Sequence, residues 1–215
     1  MKTGLSYIFP IRLKEFRTKL NGLLEINLVN GKAQLDSADS NYSFGSLQKI
    51  LLRGLEEIKF SNEKNILLLG LGAGSVIHTI RKDYGSLANI TAIEIDSEMI
   101  QIANDYFKLN EFSNLTIIED DAFWFVRNAK TTYDLIIVDI FIGDKIPEVF
   151  TQETFLSNLA DLLNPNAHLI YNTIHQSMPR DLFQNMLGNL NKNQVQTHVL
   201  KNLQQSNDLI IGRKN

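Results

Sequence analysis

The feature that most constrains this chain is a glycine-rich turn between two apolar runs, within residues 65–96. The first run, Ile66 to Leu69, has the length of a buried parallel strand. Glycine suits a turn that needs unusual backbone angles and leaves no side chain between main chain and ligand. A helix predicted from Ser75 to Lys82 directs its N-terminal amides over the turn. The stretch therefore predicts the first βαβ unit of a nucleotide-binding domain, with three glycines under the ligand: Gly70, Gly72 and Gly74.

Acidic residues stand at the ends of the next three predicted strands. The second strand, Ile90 to Ile95, carries Glu94 where this architecture grips ribose, because a carboxylate accepts two hydrogen bonds from a vicinal diol. The third strand, 115–118, is followed by Asp120 and Asp121, and the fourth, 133–138, by Asp139. Since the carboxyl ends of parallel strands meet at one edge of a sheet, these carboxylates are expected to converge.

The sign of this charge favours one class of nucleotide. A pyrophosphate is repelled by these carboxylates, whereas a sulfonium nucleoside is attracted, by about 1 to 4 kcal/mol for a charge pair ~4 Å apart. A dinucleotide fingerprint also requires glycine or alanine where this chain has Ser75. The sequence therefore predicts an S-adenosylmethionine-type donor and leaves an NAD-dependent enzyme as the less favoured alternative.

The acids are predicted to have separate roles. One of Asp120 and Asp121 is expected to cap the following helix, and a cap requires only one acid. Asp121 is therefore predicted to accept a hydrogen bond from the adenine amino group, with Phe123 or Ile95 covering the ring. Asp139 follows a buried strand, so a catalytic or donor-orienting role is predicted for it.

Composition excludes several other functions. A net charge of −3, with acids and bases interleaved along 215 residues, gives no basic stripe for nucleic acid or for an anionic membrane. The absence of cysteine excludes disulfides, thiolate catalysis and cysteine zinc sites, and the four histidines lack metal-ligand spacing. No segment reaches the ~20 apolar residues of a spanning helix. We therefore expect small-molecule chemistry without a metal, in the cytoplasm.

The remaining pattern alternates helices and strands around the central unit. Asn30-Gly31 joins the runs 23–29 and 32–36 into a predicted N-terminal β-hairpin, whereas residues 11–20 fit either a short helix or a lead-in. Further helices are predicted at 46–58, 97–107 with Ser97 as cap, 123–128, 151–163 ended by Pro165, and 180–190. Further strands are predicted at 168–171, 195–199 and 209–211, the last two separated by a polar loop, 201–208.

This order of elements predicts an α/β, Rossmann-like fold. A mostly parallel twisted sheet is expected, with an antiparallel strand pair at its C-terminal side. At 44% hydrophobic content the chain can bury one sizeable core. We therefore predict a binding domain over 61–215 and an N-terminal appendage, the hairpin and a linking helix, over 1–60.

Together these residues resemble the polyamine synthases, above all spermidine synthase, which share the class I S-adenosylmethionine-dependent methyltransferase fold. The likeness covers roughly residues 23–212 and includes the glycine turn and the segment with Pro147, Glu148 and Phe155. The resemblance implies three roles, for Glu94 at ribose, Asp121 at adenine and Asp139 in catalysis. It also implies that Tyr42 resembles the family's gatekeeping tyrosine, that the donor is S-adenosylmethionine or its decarboxylated relative, and that the hairpin forms a homodimer.

Three departures from the family pattern affect the acceptor side. The family carries acids at positions occupied here by Ala73, Ile142 and Phe44-Gly45. A diamine acceptor is a dication, and desolvating an ammonium without a partner costs several kcal/mol. The missing acids therefore argue against putrescine as the acceptor.

The sequence accordingly predicts a cytoplasmic transferase that moves a methyl group from S-adenosylmethionine to an unidentified small acceptor. The first alternative is a spermidine synthase, which transfers aminopropyl to a diamine; Asp144, on the loop after Asp139, then replaces the missing loop acid. Tyr42 and Asp144 are the candidate substrate-binding residues. A non-catalytic nucleoside-binding module is a further alternative.

Overall fold

The computed structural model describes residues 2–18, 20–37, 46–143 and 145–215. Within these ranges the chain forms a small antiparallel sheet near its N-terminus and a large mixed sheet. No helix among the described residues has the length and apolar composition that crossing a membrane requires.

The small sheet contains the predicted hairpin and one further strand. Its strands are β1 Ile11–Thr18, β2 Gly22–Val29 and β3 Lys32–Ser37, in the order β1-β2-β3. Asn30 and Gly31, between β2 and β3, have φ angles of 49° and 75°, the positive values that a type I′ turn requires. The stretch that the sequence left open is β1, which pairs antiparallel with β2. Most residues of β1 are exposed, so its sequence shows no alternation of apolar and polar residues that would predict a strand. Pairing with β2 holds it in place.

The large sheet is mostly parallel, as predicted. Its strands are β4 Asn65–Leu69, β5 Asn89–Glu94, β6 Leu115–Glu119, β7 Tyr133–Val138, β8 Leu163–Ile174, β9 Val195–Leu203 and β10 Asn207–Lys214. They lie in the order β6-β5-β4-β7-β8-β10-β9. Strands β4 to β8 pair in parallel, and β10 pairs antiparallel with both β8 and β9. Strands β5 and β6 lie on one side of β4, and β7 and β8 lie on the other, so the topological switch point is between β4 and β7. The glycine turn that follows β4 therefore lies at the middle of the edge where ligands bind in such sheets.

Helix α1, Lys2–Leu5, precedes the small sheet, and the other helices cover both faces of the large sheet. They are α2 Ser46–Glu57, α3 Ser75–His78, α4 Ser97–Phe107, α5 Ala122–Asn128, α6 Glu153–Asp161 and α7 Arg180–Lys192. Helix α3 is shorter than the predicted 75–82, because its chain continues as a π-helical turn over Thr79–Asp83. The predicted helix 97–107 is reproduced by α4.

Two predicted boundaries near the C-terminus are wrong. Helix α6 ends before Pro165, which lies inside β8 and not at the helix end. Pro165 falls where the pairing of β7 with β8 is irregular, so its missing N–H removes no regular ladder bond. The predicted polar loop 201–208 is largely strand, because β9 and β10 continue to pair as far as Leu203 and Asn207. Polar residues are tolerated there since β9 is the edge of the sheet.

Alternating side chains of the central strands divide the core in two. Leu67 and Leu69 face the cluster under α5, α6 and α7, whereas Ile66 and Leu68 face the cluster under α2 and α3. A third cluster joins the two sheets by packing Leu24, Ile26 and Leu35 of the small sheet against residues of α4 and the glycine turn: Ala73, Met99, Ile102 and Phe107. The small sheet is thereby held over the carboxyl end of β5.

Candidate active site

Gly70 ends β4 at the point where β4 and β7 lie closest. Its φ is 87°, and a Cβ built on it would collide with the backbone carbonyl oxygen of Asp139. The backbone N–H of Asp139 donates to the carbonyl of Leu69 at 2.8 Å, which explains the close approach. Glycine is therefore required at position 70 both by its backbone angle and by the neighbouring strand.

The three predicted glycines do not share one role. Gly70 and Gly72 line a cavity at the carboxyl edge of the sheet, and Gly74 does not. Gly74 precedes α3 with a φ of 74°, and a Cβ there would collide with the side chain of Leu109. The absence of a side chain at Gly74 lets α3 pack against Leu109, and the predicted contact of Gly74 with the donor stays a prediction.

Glu94 fastens the glycine turn to the end of β5. One carboxylate oxygen, Oε2, accepts from the backbone N–H of Leu71 at 3.0 Å, and the other, Oε1, accepts from that of Asp96 at 3.0 Å. Burial raises the pKa of Glu94, although these N–H donors and that of Gly72 oppose the rise. Because turn amides are already bound to a carboxylate, the turn is a poor cradle for a pyrophosphate.

Asp96 connects the small sheet to this edge. Its Oδ1 accepts from the backbone N–H groups of Glu98 and Met99, so Asp96 caps α4 and the predicted Ser97 cap is wrong. Its Oδ2 accepts from Nδ2 of Asn21, in the turn between β1 and β2, at 2.8 Å. Asn21 lines the cavity.

Asp120 and Asp121 both lie at the end of β6. The sequence favoured Asp121 as the ligand group and left the helix cap to the other acid, but the cap is Asp121. Asp121 is the N-cap of α5, where its Oδ1 accepts from the backbone N–H of Phe123 at 2.7 Å. Asp120 instead accepts from the backbone N–H of Asp121 at 2.8 Å. Both acids line the cavity, so capping does not remove Asp121 from the site.

Asp139 is held by a buried amide at the end of β7. Asn172 on β8 donates from Nδ2 to Oδ1 of Asp139 at 2.8 Å, and Asn207 on β10 donates from Nδ2 to Oδ1 of Asn172 at 2.9 Å. Burial of the carboxylate raises the pKa of Asp139 to about 6, and the Asn172 hydrogen bond limits that rise. Asp139 is therefore poised to exchange a proton near neutral pH.

Most of these groups border one cavity of about 520 Å³, whereas Gly74, Asp96 and Asn172 do not line it. Among its described lining residues, four are acidic, Glu94, Asp120, Asp121 and Asp139, and none is basic. The side next to β7 is apolar and is formed by the following residues: Ile140, Phe141, Ile142, Pro147, Val149 and Phe150. Ile95, which follows β5, also lines the cavity, is 51% exposed and offers an apolar surface to a ring. The arrangement suits a molecule with one positive centre, hydroxyls and an aromatic ring.

The predicted site residues are thus mostly brought together. Five of them line the one cavity: Gly70, Gly72, Glu94, Asp121 and Asp139. Tyr42 and Asp144 lie outside the described residues. Sequence reasoning missed Asn21, Asn172 and Asn207. A signal was present only for Asn172, a lone amide in the apolar run of β8.

The chain is similar in sequence to known proteins. A family model described as the spermine/spermidine synthase domain matches residues 49–203. A polyamine aminopropyltransferase from Vibrio vulnificus (strain CMCP6) is 32% identical over 117 residues, covering 53% of this chain and 39% of that protein. An eEF1A lysine and N-terminal methyltransferase homolog from Drosophila melanogaster is 24% identical over 193 residues, covering 83% of this chain and 28% of that protein. This chain therefore spans less than half the length of either relative.

A solved structure shares the fold. Human methyltransferase-like protein 13 in complex with SAH matches with a TM-score of 0.67 and 19% identity, covering 80% of this chain and 83% of that one. At this identity the likeness concerns the fold alone. It agrees with the predicted Rossmann-like, class I methyltransferase fold.

Proposed function

The chain belongs to the spermine/spermidine synthase family, and on that premise we propose that it is an S-adenosylmethionine-dependent transferase that methylates a small acceptor. One observation carries the proposal: four carboxylates and no basic side chain appear among the described residues around one cavity. These carboxylates attract a sulfonium, which carries a fixed positive charge, and they repel the pyrophosphate of a dinucleotide. The amides of the glycine turn that would bind a pyrophosphate are bound to Glu94 instead.

The donor's parts match the predicted residues. We propose that Glu94 binds the ribose diol, because its two oxygens offer about four acceptor positions and the backbone N–H groups of Leu71, Gly72 and Asp96 occupy no more than three. Asp121 would accept from the adenine amino group, with Ile95 against the ring. The donor's tail would lie over Gly70 and Gly72, with its sulfonium beside Asp139.

The reaction is an in-line displacement at the carbon attached to sulfur. The acceptor's lone pair forms the new bond to carbon, the carbon–sulfur bond breaks, and its electron pair leaves with the sulfur as a neutral thioether. Asp139 takes the proton that the acceptor loses, and a pKa of about 6 lets it do so in its ionised form at neutral pH. The protein's larger contribution is the alignment of acceptor, carbon and sulfur.

Methyl transfer is favoured by the acceptor side of the cavity. Its described residues next to Asp139 are apolar, and Ile142, where the family carries an acid, is 50% exposed. A diamine held there would lack a partner for its distant ammonium. The Drosophila relative is named as a methyltransferase homolog, and the human structural neighbour is described with SAH, which is the product of methyl transfer from S-adenosylmethionine.

Aminopropyl transfer is the second candidate, because the Vibrio relative is named as a polyamine aminopropyltransferase. It would require decarboxylated donor and a further acid on the acceptor side, and Asp144 is the candidate. A non-catalytic nucleoside-binding module is the third, since donor binding alone does not require turnover.

A homodimer is also proposed. Strand β1 is the edge of the small sheet, and the preceding residues Tyr7, Ile8 and Phe9 are 66%, 79% and 53% exposed. Sedimentation equilibrium of the purified chain tests this point independently of activity.

The test begins with thermal shift against S-adenosylmethionine, decarboxylated S-adenosylmethionine, methylthioadenosine and NAD. A ligand at ~100 times its dissociation constant adds about 2.7 kcal/mol and raises the melting temperature by several degrees. Mass spectrometry then follows the donor with a panel of amine, hydroxyl and thiol acceptors that includes putrescine. S-adenosylhomocysteine as product supports methyl transfer, and methylthioadenosine supports aminopropyl transfer. A shift with NAD and none with the sulfonium nucleosides contradicts the proposal.

A further inference from the structure

Three polar side chains form a hydrogen-bonded row that leads to Asp139. Ser206 Oγ donates to Oδ1 of Asn207 at 2.6 Å, Asn207 Nδ2 donates to Oδ1 of Asn172 at 2.9 Å, and Asn172 Nδ2 donates to Oδ1 of Asp139 at 2.8 Å. The row crosses from β10 to β8 to β7, which are adjacent in the sheet. Every donor points towards the carboxylate.

The two amides are buried among apolar side chains. Asn172 is 1% exposed and Asn207 is 2% exposed, and the neighbours Ile170 and Tyr171 on β8 are fully buried. A polar group is unfavourable in such a place unless it is hydrogen-bonded, and an apolar residue of the same shape is often at least as stable. Packing therefore gives no reason for amides at these positions, whereas the hydrogen bonds from Asn172 to Asp139 and from Asn207 to Asn172 do.

The direction of the row determines what Asp139 can do. An amide can present either N–H or oxygen, and only N–H is compatible with an ionised carboxylate. If Asn172 rotated, its oxygen would face Asp139 and favour the protonated acid. The hydrogen bond from Asn207 to Oδ1 of Asn172 opposes this rotation, and Ser206 orients Asn207 in the same way.

We propose that Asn172 is a positioning residue that keeps Asp139 an acceptor facing the cavity, and that Asn207 acts through Asn172 by fixing the orientation of its amide. The reason for having this row rests on the proposed function, in which Asp139 receives a proton from the acceptor. The row itself is a property of the folded protein and is measurable without turnover.

Other titratable groups come from the ends of β5 and β6 and from the side of β8 and β10. Those that line the same cavity are carboxylates: Glu94, Asp120 and Asp121. On the side of β8 and β10, Nδ1 of His175 lies 3.8 Å from Oδ1 of Asp208, so His175 pairs with Asp208. Burial and the Asn172 hydrogen bond are the influences on the pKa of Asp139 within the described residues.

The experiment measures the pKa of Asp139 directly, from the pH dependence of its carboxyl ¹³C resonance in protein labelled at aspartate. The resonance is assigned by its loss in Asp139→Asn. Asn172→Leu is expected to raise the pKa of Asp139 by about one unit or more, because the donor to the carboxylate is lost. Asn207→Leu is expected to raise it by less, because Asn172 then samples both orientations.

A double-mutant cycle separates action through Asn172 from a general loosening of the site. The Asn172→Leu/Asn207→Leu protein should have the pKa of Asn172→Leu alone, since Asn207 has no route to Asp139 without Asn172. The matched control is Thr173→Val, on the same strand as Asn172. It removes the hydrogen bond that the Thr173 hydroxyl donates to the backbone carbonyl of Asp208 on β10, and it should leave the pKa of Asp139 unchanged. Asn172→Ser and Asn207→Ser serve in place of any leucine variant that does not fold.

An unchanged pKa in Asn172→Leu, or additive shifts in the double variant, overturns the inference. If the chain binds no sulfonium nucleoside, the proposed function fails while this measurement still stands. If it is a transferase, the pH profile of kcat should move with the measured pKa of Asp139 in each variant, and a profile that does not move also contradicts the inference.

Discussion

Asn21 and Asp96 join the two sheets through a 2.8 Å hydrogen bond between Nδ2 of Asn21 and Oδ2 of Asp96. Asp96 also caps α4, and its backbone N–H donates to Oε1 of Glu94. The turn of the small sheet is therefore two hydrogen bonds away from the carboxylate proposed to bind ribose. The turn of the small sheet thus borders the cavity through Leu20 and Asn21 and is linked to Glu94 by hydrogen bonds.

Asn21→Ala is expected to weaken donor binding by about five- to tenfold and to lower the free energy of unfolding by about 1 kcal/mol, the usual net worth of one hydrogen bond. Isothermal titration calorimetry with the donor and urea unfolding measure the two effects. The matched control is Asn27→Ala, which removes a 2.9 Å hydrogen bond to Asp36 inside the same sheet. Equal donor affinities in the two variants would show that the link to Asp96 has no role in binding.

Gly70→Ala is expected to destabilise the protein by several kcal/mol and to abolish donor binding, because the new Cβ meets the backbone of Asp139 and separates β4 from β7. Gly85→Ala isolates the backbone effect. Gly85 also has a positive φ, 64°, but nothing lies within 4 Å of its Cβ position. Gly85→Ala should lower the free energy of unfolding by only about 1 to 2 kcal/mol and leave donor affinity intact. Equal losses in the two variants, by urea unfolding, would mean that the contact with Asp139 is unimportant.

The central unit of the fold could be predicted because its determinants are local. Apolar runs, a glycine turn and the rule that parallel strands share one functional edge were enough to bring Glu94, Asp121 and Asp139 to one cavity. The prediction of a mostly parallel sheet follows from the same alternation of strand and helix.

The parts that were missed depend on tertiary contacts. Strand β1 is exposed and charged, so only its pairing with β2 reveals it. Asn172 and Asn207 lie 35 residues apart and meet because β10 returns antiparallel beside β8. Asn207 also falls in a stretch whose polar composition favours a loop. The roles of Tyr42 and Asp144 stay predictions.

Substitution can separate the observed role of Asp121, as the N-cap of α5, from its proposed role at the adenine. Asparagine caps helices about as well as aspartate, so Asp121→Asn should leave the stability of α5 nearly unchanged while donor affinity falls about tenfold, because the carboxylate at the adenine site is lost. Asp121→Ala should in addition lower the free energy of unfolding by about 1 kcal/mol through loss of the cap. Donor titration and urea unfolding of both variants provide the measurement. Full donor affinity in Asp121→Asn would exclude its carboxylate from binding.

The two ends of β7 carry acids whose pKa values move in opposite directions. Burial raises the pKa of Asp139 to about 6. Burial also acts to raise the pKa of Asp134, but hydrogen bonds from the Asn164 side chain and from the backbone N–H groups of Asn65 and Lys64 outweigh it, and the pKa is lowered. Ionised Asp139 therefore opposes folding, and ionised Asp134 favours it.

Asp139→Asn is accordingly expected to remove turnover by orders of magnitude, to keep donor affinity, and to stabilise the fold at neutral pH. The unfolded chain releases the Asp139 proton near pH 4 and the folded chain near pH 6, so the wild-type protein loses stability as the pH rises through this window. The stability gain of Asp139→Asn should therefore grow by roughly 2 kcal/mol between pH 4.5 and pH 7.5 in urea unfolding. Asp134→Asn should show the reverse sign at pH 7.5, since it removes a stabilising charge. A transferase whose turnover survives Asp139→Asn would require a different proton acceptor.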